Sequence, residues 1–435
     1  MPDSHRTAVR WFLVFWLFIL SAVSYLDRVN ISVAGSSIAT DFHLSKVQLG
    51  WVFSAFFWGY ALFQTLGGWL ADRFGPRKVL TAGVIWWGVF TSLTAAVSPR
   101  VGGAIFLFVI VRFLLGAGEA IIFPASNQFI SRWIPTQERG FANGLIFAGV
   151  GAGAGSAPAL VTYIMLHYGW RWSFWLSAII GLAVGVIWYF SASDTPENHS
   201  MVSPAELAHI QQGRSLASPS AESVKSKVPW SSILRSRAIW AVTLSYFCYG
   251  YVAAIFFSWF YIYLAEVRGL DLKSSAFYST LPPIAMVACS LLGGVINDRL
   301  SIAYGKRVGR CGVAAVALAL ASILLFLGSR ATSAPLASLV LAGGAGALYL
   351  AQSSYWSVTA DIAGRSAGSA SGFMNMGAQF GSAVTALLTP FIAARASWTY
   401  SFLAAATLSA LGALAWLFVD PSRQLASTEV PGAPL

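Results

Sequence analysis

Gly68-Trp69-Leu70-Ala71-Asp72-Arg73-Phe74-Gly75-Pro76-Arg77-Lys78 is a charged turn between two long apolar runs. Its echo lies 226 residues further on, at Gly294-Val295-Ile296-Asn297-Asp298-Arg299 with Lys306-Arg307 beyond. A second matching pair, Trp170-Arg171-Trp172-Ser173-Phe174 and Trp398-Thr399-Tyr400-Ser401-Phe402, is separated by 228 residues. Two independent matches at nearly one offset imply a duplicated unit. In each loop glycine lets two helices approach closely, and the aspartate can cap a helix, pair with an adjacent arginine or meet another helix end. Gly68, Asp72, Arg73, Arg77, Asp298 and Arg299 are therefore expected to form a charge lock that holds one conformation and opens in another.

The runs on either side set the class. The chain has 435 residues, 57% hydrophobic and 10% charged, against about 25% charged in an ordinary soluble domain. No core of conventional size absorbs that much apolar sequence. Stretches of about 20 apolar residues, long enough to cross a bilayer, begin near Trp11, Val47, Val79, Gly102, Gly140, Trp170, Ala238, Ser275, Gly309, Ala334, Ser366 and Trp398. The expectation is an all-α polytopic membrane protein of twelve transmembrane helices in two pseudo-symmetric six-helix halves. Its segments are a tail at 1–10, a half at 11–192, a linker at 193–237, a second half at 238–418 and a tail at 419–435. The linker is rich in Ser, Pro, Glu and Lys, with one short surface helix expected from Pro204 to Gln211. Parallel repeats of this kind characterise a large class of secondary transporters, with the substrate site near the midplane between the halves.

A net charge of +11 raises the question of nucleic acid, and the charge distribution answers it. With the N-terminus assigned to the cytoplasm, eighteen of the 27 Lys and Arg fall in cytoplasmic segments, seven on the opposite side, and only Arg28 and Arg112 within spans. That asymmetry is the positive-inside pattern, so both termini are expected to be cytoplasmic and nucleic acid is unnecessary as a partner. The first run is too long for a signal peptide, carries Asp27-Arg28 and lacks a clear cleavage site, which argues for a retained helix. Cys248, Cys289 and Cys311 are too few and too apolar in context for a disulfide framework or a metal site. His5, His43, His167, His199 and His209 lack metal-ligand spacing and are expected at the surface.

Charge inside the spans is costly, about 2.5–3.5 kcal/mol per residue at the bilayer centre, and persists where it faces a partner or a wet cavity. Asp27 and Arg28 are consecutive on a helix, about 100° apart, and cannot simply neutralise each other. Arg112 and Glu119 are seven residues apart, on one face and about 10.5 Å along the axis; Gly116 and Gly118 between them leave room for another helix or a ligand. A buried structural ion-pair network is one explanation. A carrier of anions fits better, because guanidinium groups grip carboxylates bidentately and shielded carboxylates carry protons.

The loop at Gly68–Lys78 resembles the signature of the major facilitator superfamily. Tyr25-Leu26-Asp27-Arg28-Val29-Asn30, Ser54-Ala55-Phe56-Phe57-Trp58-Gly59-Tyr60, Gly118-Glu119-Ala120 with Phe123-Pro124, Trp133-Ile134-Pro135 and Glu138-Arg139-Gly140 narrow the resemblance to its anion:cation symporter branch. Asp194-Thr195-Pro196 with His199, Ser203 and Glu206, and Gly372-Phe373-Met374-Asn375 with Gly381 and Pro390, extend it over nearly the whole chain. That branch includes bacterial carriers of galactonate, glucarate, hexuronates and phthalate, and animal sialic-acid and vesicular glutamate carriers. The resemblance implies proton sites at Asp27 and Glu119 and anion sites at Arg28 and Arg112. Tyr25, Tyr60, Gln64, Trp356 and Asn375 are expected to line the substrate cavity, with Tyr60, Trp356 and Asn375 matching cavity positions of sugar-acid carriers.

The chain departs from that pattern at Val150, where sugar-acid carriers place a polar residue, and at Tyr261, where relatives often carry proline. The glycine-rich run Gly149–Pro158 also lacks the Gly-Pro pair of antiporters. The expected function is import of a small organic anion, a sugar acid such as galactonate, glucarate or a hexuronate, by proton symport with alternating access. Sodium is the alternative ion. No cofactor or metal is expected; the partners are the carboxylate substrate and the lipid bilayer of the bacterial inner membrane, with a monomer as the working unit. The rival readings are a drug or metabolite antiporter on the same fold and, from another class, a non-transporting membrane sensor. No nucleophile–base pair or phosphate loop points to an enzyme.

Overall fold

The computed structural model describes residues 7–211, 230–260, 263–270 and 272–425. Twelve long helices build the molecule: α1 Val9–Asp41, α2 Lys46–Phe74, α3 Pro76–Ala96, α4 Ala104–Trp133, α5 Arg139–Tyr168, α6 Trp170–Ser191, α7 Arg237–Ser258, α8 Leu272–Tyr304, α9 Arg307–Arg330, α10 Ala334–Ala363, α11 Ala367–Arg395 and α12 Trp398–Phe418. Each begins within four residues of its expected start. Helices α4 and α10 are interrupted, after Glu119 and after Leu350. In α4 the break follows from Pro124, which has no N–H to return to the carbonyl of Ala120.

Ten of these helices are apolar and long enough to cross a membrane; α2 and α11 fall outside that group. The reason is where they sit. They pack on each other across the interface between the halves, and place Gln64, Thr65, Ser369 and Asn375 there rather than in lipid. Duplication is visible throughout the packing: α1–α5, α2–α4, α3–α6, α1–α6 and α3–α4 recur as α7–α11, α8–α10, α9–α12, α7–α12 and α9–α10. The halves meet along two seams, α2–α11 and its image α8–α5.

Glycine sets how close the seams come. A Cβ at Gly68 would run into the backbone of Gly368, and one at Gly294 into the backbone of Gly140. The glycine-rich run of α5 serves both of its faces, with Gly149 and Gly153 against α1 and Gly151 against α8. Alternating small residues thus let one helix touch two neighbours backbone to backbone. Between α2 and α3 the chain turns at Gly75 with φ 91°, and between α8 and α9 at Gly305 with φ 86°.

The face that carries both termini and the linker is called here the terminal face. There, helix Pro204–Gln211 buries Glu206, which accepts from Thr7 Oγ1 at 2.5 Å, from the N–H of Val9 and of Arg10, each at 3.1 Å, and from Arg10 Nη1 at 3.1 Å. One linker carboxylate therefore caps the start of α1. Asp194 does the same for α3, accepting from the Arg77 N–H at 2.9 Å. His209 and His199 are not free surface residues: His209 Nε2 lies 2.6 Å from Glu138, and His199 bonds the Ser191 carbonyl and meets Trp133 edge-on. Arg10 and Arg310, counted above as loop charges, are buried. His5 and Tyr261 lie outside the described residues.

Candidate functional site

The charged residues of the first half converge at the centre of the bundle, but in new pairings. Asp27 and Arg28 do diverge as helical geometry requires. Asp27 turns toward α3, where its Oδ2 accepts from Trp87 Nε1 at 2.5 Å and Thr91 Oγ1 at 3.4 Å. Arg28 turns toward α4, where its Nε donates to Glu119 Oε1 at 2.6 Å. Ser24, one turn earlier on α1, donates to the same carboxylate oxygen at 2.5 Å.

Aromatic rings surround the guanidinium of Arg28. Its central carbon lies 4.2 Å from the ring centre of Tyr60, 4.6 Å from Tyr25 and 5.2 Å from Phe56. Arg112 lies 5.0 Å from Phe56, so one ring serves two cations. Such contacts favour a desolvated guanidinium by about 2 kcal/mol or more each; Arg112 has one, against a burial cost of several kcal/mol for an ion. Arg112 is 2% exposed and makes no hydrogen bond or ion pair among the described residues. Gly116 and Gly118 pack against Phe56 of α2 and Trp86 of α3. The room between Arg112 and Glu119 is therefore taken by helices.

Among the described residues several buried polar atoms here have no partner: Arg28 Nη2, Arg112 Nε, Glu119 Oε2 and both amide atoms of Gln64. Buried polar groups are nearly always satisfied. A cluster of unsatisfied ones, two of them on guanidinium groups, singles this place out as the candidate site.

The second half answers with neutral groups. Trp356 Nε1 donates to the Tyr246 hydroxyl at 3.1 Å, and Gln352 Nε2 donates to the same oxygen at 2.8 Å. Trp356 also reaches across the interface, 5.1 Å from Phe147 and 6.0 Å from Phe123, while Phe123 meets Tyr25 edge-on at 6.3 Å. Asn375 is buried on α11, and Val150 is buried on α5. Ser24, Phe56, Trp87, Tyr246 and Gln352 were not among the expected site residues. Ser24 stands four residues before Arg28, and Tyr246 and Gln352 are polar residues in apolar helices. The contact between Trp87 and Asp27, 60 positions apart, has no trace in local sequence.

The expected lock residues separate into two groups at the terminal face. Asp72 takes the start of α11, accepting from the N–H of Gly368 at 3.0 Å, the N–H of Ser369 at 2.8 Å and Ser369 Oγ at 2.5 Å. Asp298 takes the start of α5, accepting from the N–H of Gly140 at 2.8 Å and of Phe141 at 2.7 Å. Each aspartate thus caps a helix of the opposite half, where the helix dipole favours negative charge. The arginines of the motif are not their partners. Arg73 lies against Trp69 and Phe74, Arg77 donates to the Tyr189 carbonyl at 2.9 Å, and Arg299 is exposed. Beside Asp298 a buried network continues, with Arg310 on Asp298 at 2.9 Å and Arg139 crossing to Asp361 at 2.7 Å. Asn127 donates to Thr359 at 3.1 Å and Asn143 to Ser357 at 3.3 Å, closing the halves between the terminal face and the centre.

Known proteins share this architecture. The family model described as Major Facilitator Superfamily matches residues 17–386 and 304–435. The probable sulfoacetate transporter SauU of Cupriavidus necator is 35% identical over 420 residues, covering 96% of this chain and 95% of that protein. The probable galactarate/D-glucarate transporter GudP of Bacillus subtilis is 33% identical over 318 residues, 71% of this chain and 70% of that one. Among solved structures, the proton:xylose symporter XylE has a TM-score of 0.75 at 16% identity, covering 95% of this chain and 97% of that one, a likeness of fold. By its sequence, its packing and its relatives, this chain is a multi-pass membrane transporter that belongs to the Major Facilitator Superfamily, in the branch of its anion transporters.

Proposed function

We propose that the protein imports a small organic anion, a sugar acid in its chemistry, together with protons. The observation that carries this reading is the Arg28–Glu119 pair, 2.6 Å long, with Arg28 Nη2 and Glu119 Oε2 both buried and unpartnered. With Asp27 and Glu119 ionised, the four central charges cancel. A proton on Glu119 releases Arg28 and leaves the site one positive charge, which a substrate carboxylate then balances beside Arg112. Proton and anion enter together because either alone leaves an uncompensated charge in a low-dielectric site.

In this reading Asp27 and Glu119 carry protons, Arg28 and Arg112 hold the carboxylate, and Tyr25, Tyr60, Gln64, Trp356 and Asn375 surround the rest of the substrate. Gly68, Asp72 and Asp298 act as the latch at the terminal face, which lies on the cytoplasmic side of a bacterial inner membrane in this reading; the excess of Lys and Arg in its loops supports that orientation. The latch opens when the loaded carrier turns inward, and one chain suffices for the cycle.

Replacing Glu119 with Gln tests the coupling. In proteoliposomes the variant is expected to lose uptake driven by a proton gradient while keeping exchange of substrate for substrate. Concentrative uptake at the wild-type level overturns the assignment. Substitution of choline for sodium is expected to leave wild-type uptake unchanged, and proton movement opposite to the substrate would make the protein an antiporter.

A further inference from the structure

The centre of the second half contains no charge. Between the terminal-face residues and the opposite ends of its helices, α7 to α12 carry no Asp, Glu, Lys or Arg over 238–258, 274–297, 311–329, 334–360, 366–394 and 398–418. Polar groups are present there nonetheless. The Tyr246 oxygen accepts two hydrogen bonds, from Gln352 Nε2 and Trp356 Nε1, which occupies both of its lone pairs and leaves its own O–H to donate. Gln352 is 2% exposed, and its Oε1 has no partner. The cluster borders the first-half site through Trp356, whose ring lies 5.1 Å from Phe147 and 6.0 Å from Phe123, the latter 6.3 Å from Tyr25.

We infer that Tyr246 and Gln352 form a neutral subsite that reads a hydroxyl group of the substrate, so that the transported species is a monoanionic polyhydroxy acid rather than a dianion. This rests on the anion reading above, and it departs from what the names of the sulfoacetate and galactarate/glucarate carriers would suggest. A hydroxyl accepts from Tyr246 O–H and donates to Gln352 Oε1, which satisfies both. A second carboxylate or a sulfonate only accepts; it meets the lone pairs of Gln352 with no cation at the centre of that half to hold it. Sites built to bond a hydroxyl discriminate strongly, because an analogue without the right group leaves buried polar atoms unpaired.

The test is proteoliposome uptake of D-galactonate with D-galactarate, sulfoacetate and hexanoate as competitors. Galactonate is expected to be favoured over galactarate and sulfoacetate by tenfold or more. Tyr246→Phe and Gln352→Leu are each expected to raise KM for galactonate about tenfold while leaving inhibition by hexanoate, which has no hydroxyl, unchanged. Equal or better uptake of galactarate or sulfoacetate by the wild type overturns the neutral subsite and leaves anion transport standing. Equal losses for galactonate and hexanoate in both variants overturn it as well, since they would mark Tyr246 and Gln352 as structural. If no anion is taken up, both readings fall together.

Discussion

Arg112 and Arg310 are the two most deeply buried arginines among the described residues, one in each half. Arg310 is held by everything near it: Asn297, Asp298 at 2.9 Å, Asp361 at 3.4 Å and the Thr136 carbonyl at 2.5 Å. Arg112 has one aromatic face beside it and, among the described residues, no hydrogen bond or ion pair. The same side chain, at nearly the same burial, has its charge paired in the second half and left without a polar partner among the described residues in the first. The duplicated packing makes the contrast sharper, since the two halves share their helix contacts and differ in where their charges stand.

Four measurements bear on that contrast. Removing Arg310 leaves Asp298 and Asp361 short of a buried partner, so Arg310→Ala is expected to cost about 3–5 kcal/mol of stability, seen as a large fall in melting temperature in detergent. Removing Arg112 is expected to do the reverse. Arg112→Ala abolishes uptake, by about a hundredfold or about 2.7 kcal/mol in transition-state terms, while the melting temperature holds or rises because an unpaired buried charge has gone. A fall in stability as large as that of Arg310→Ala would erase the distinction between the two residues.

The two capping aspartates offer a finer comparison. Asp298→Asn disturbs both the α5 cap and the Arg310 network, whereas Asp72→Asn disturbs only the α11 cap. The first is expected to shift the population of molecules closed at the terminal face more than the second, each by about 1–3 kcal/mol. Spin-label distances across the α5–α8 and α2–α11 seams would read it. Smallest of all, Arg171→Ala removes an exposed pair with Asp41, 3.0 Å long, at the face opposite the termini; its effect on stability is expected to stay below about 1 kcal/mol.

Much of this was legible along the chain because it is a matter of order and spacing. The helix starts followed from apolar runs, the duplication from the Asp72 and Asp298 loops, and the divergence of Asp27 from Arg28 from helical geometry. Other features were not legible. Arg73 and Arg77 looked like partners for Asp72 because they are close in sequence, yet its carboxylate accepts from Gly368 and Ser369 at the start of α11, 296 and 297 positions away. His209 looked like a surface residue because its segment is polar, but the linker folds back onto Glu138.

The sequence by itself determined the class, the twelve helices, the two halves and the confinement of the central charges to the first of them. These depend on residue type and local period, which the bilayer reads directly. Only the tertiary structure decided which charge meets which: Arg28 with Glu119, Asp27 with Trp87, Arg112 with no polar group, and Tyr246 with Gln352 and Trp356. In a low-dielectric interior a pairing of charges depends on a few ångströms of separation, and helices from distant parts of the chain set those ångströms.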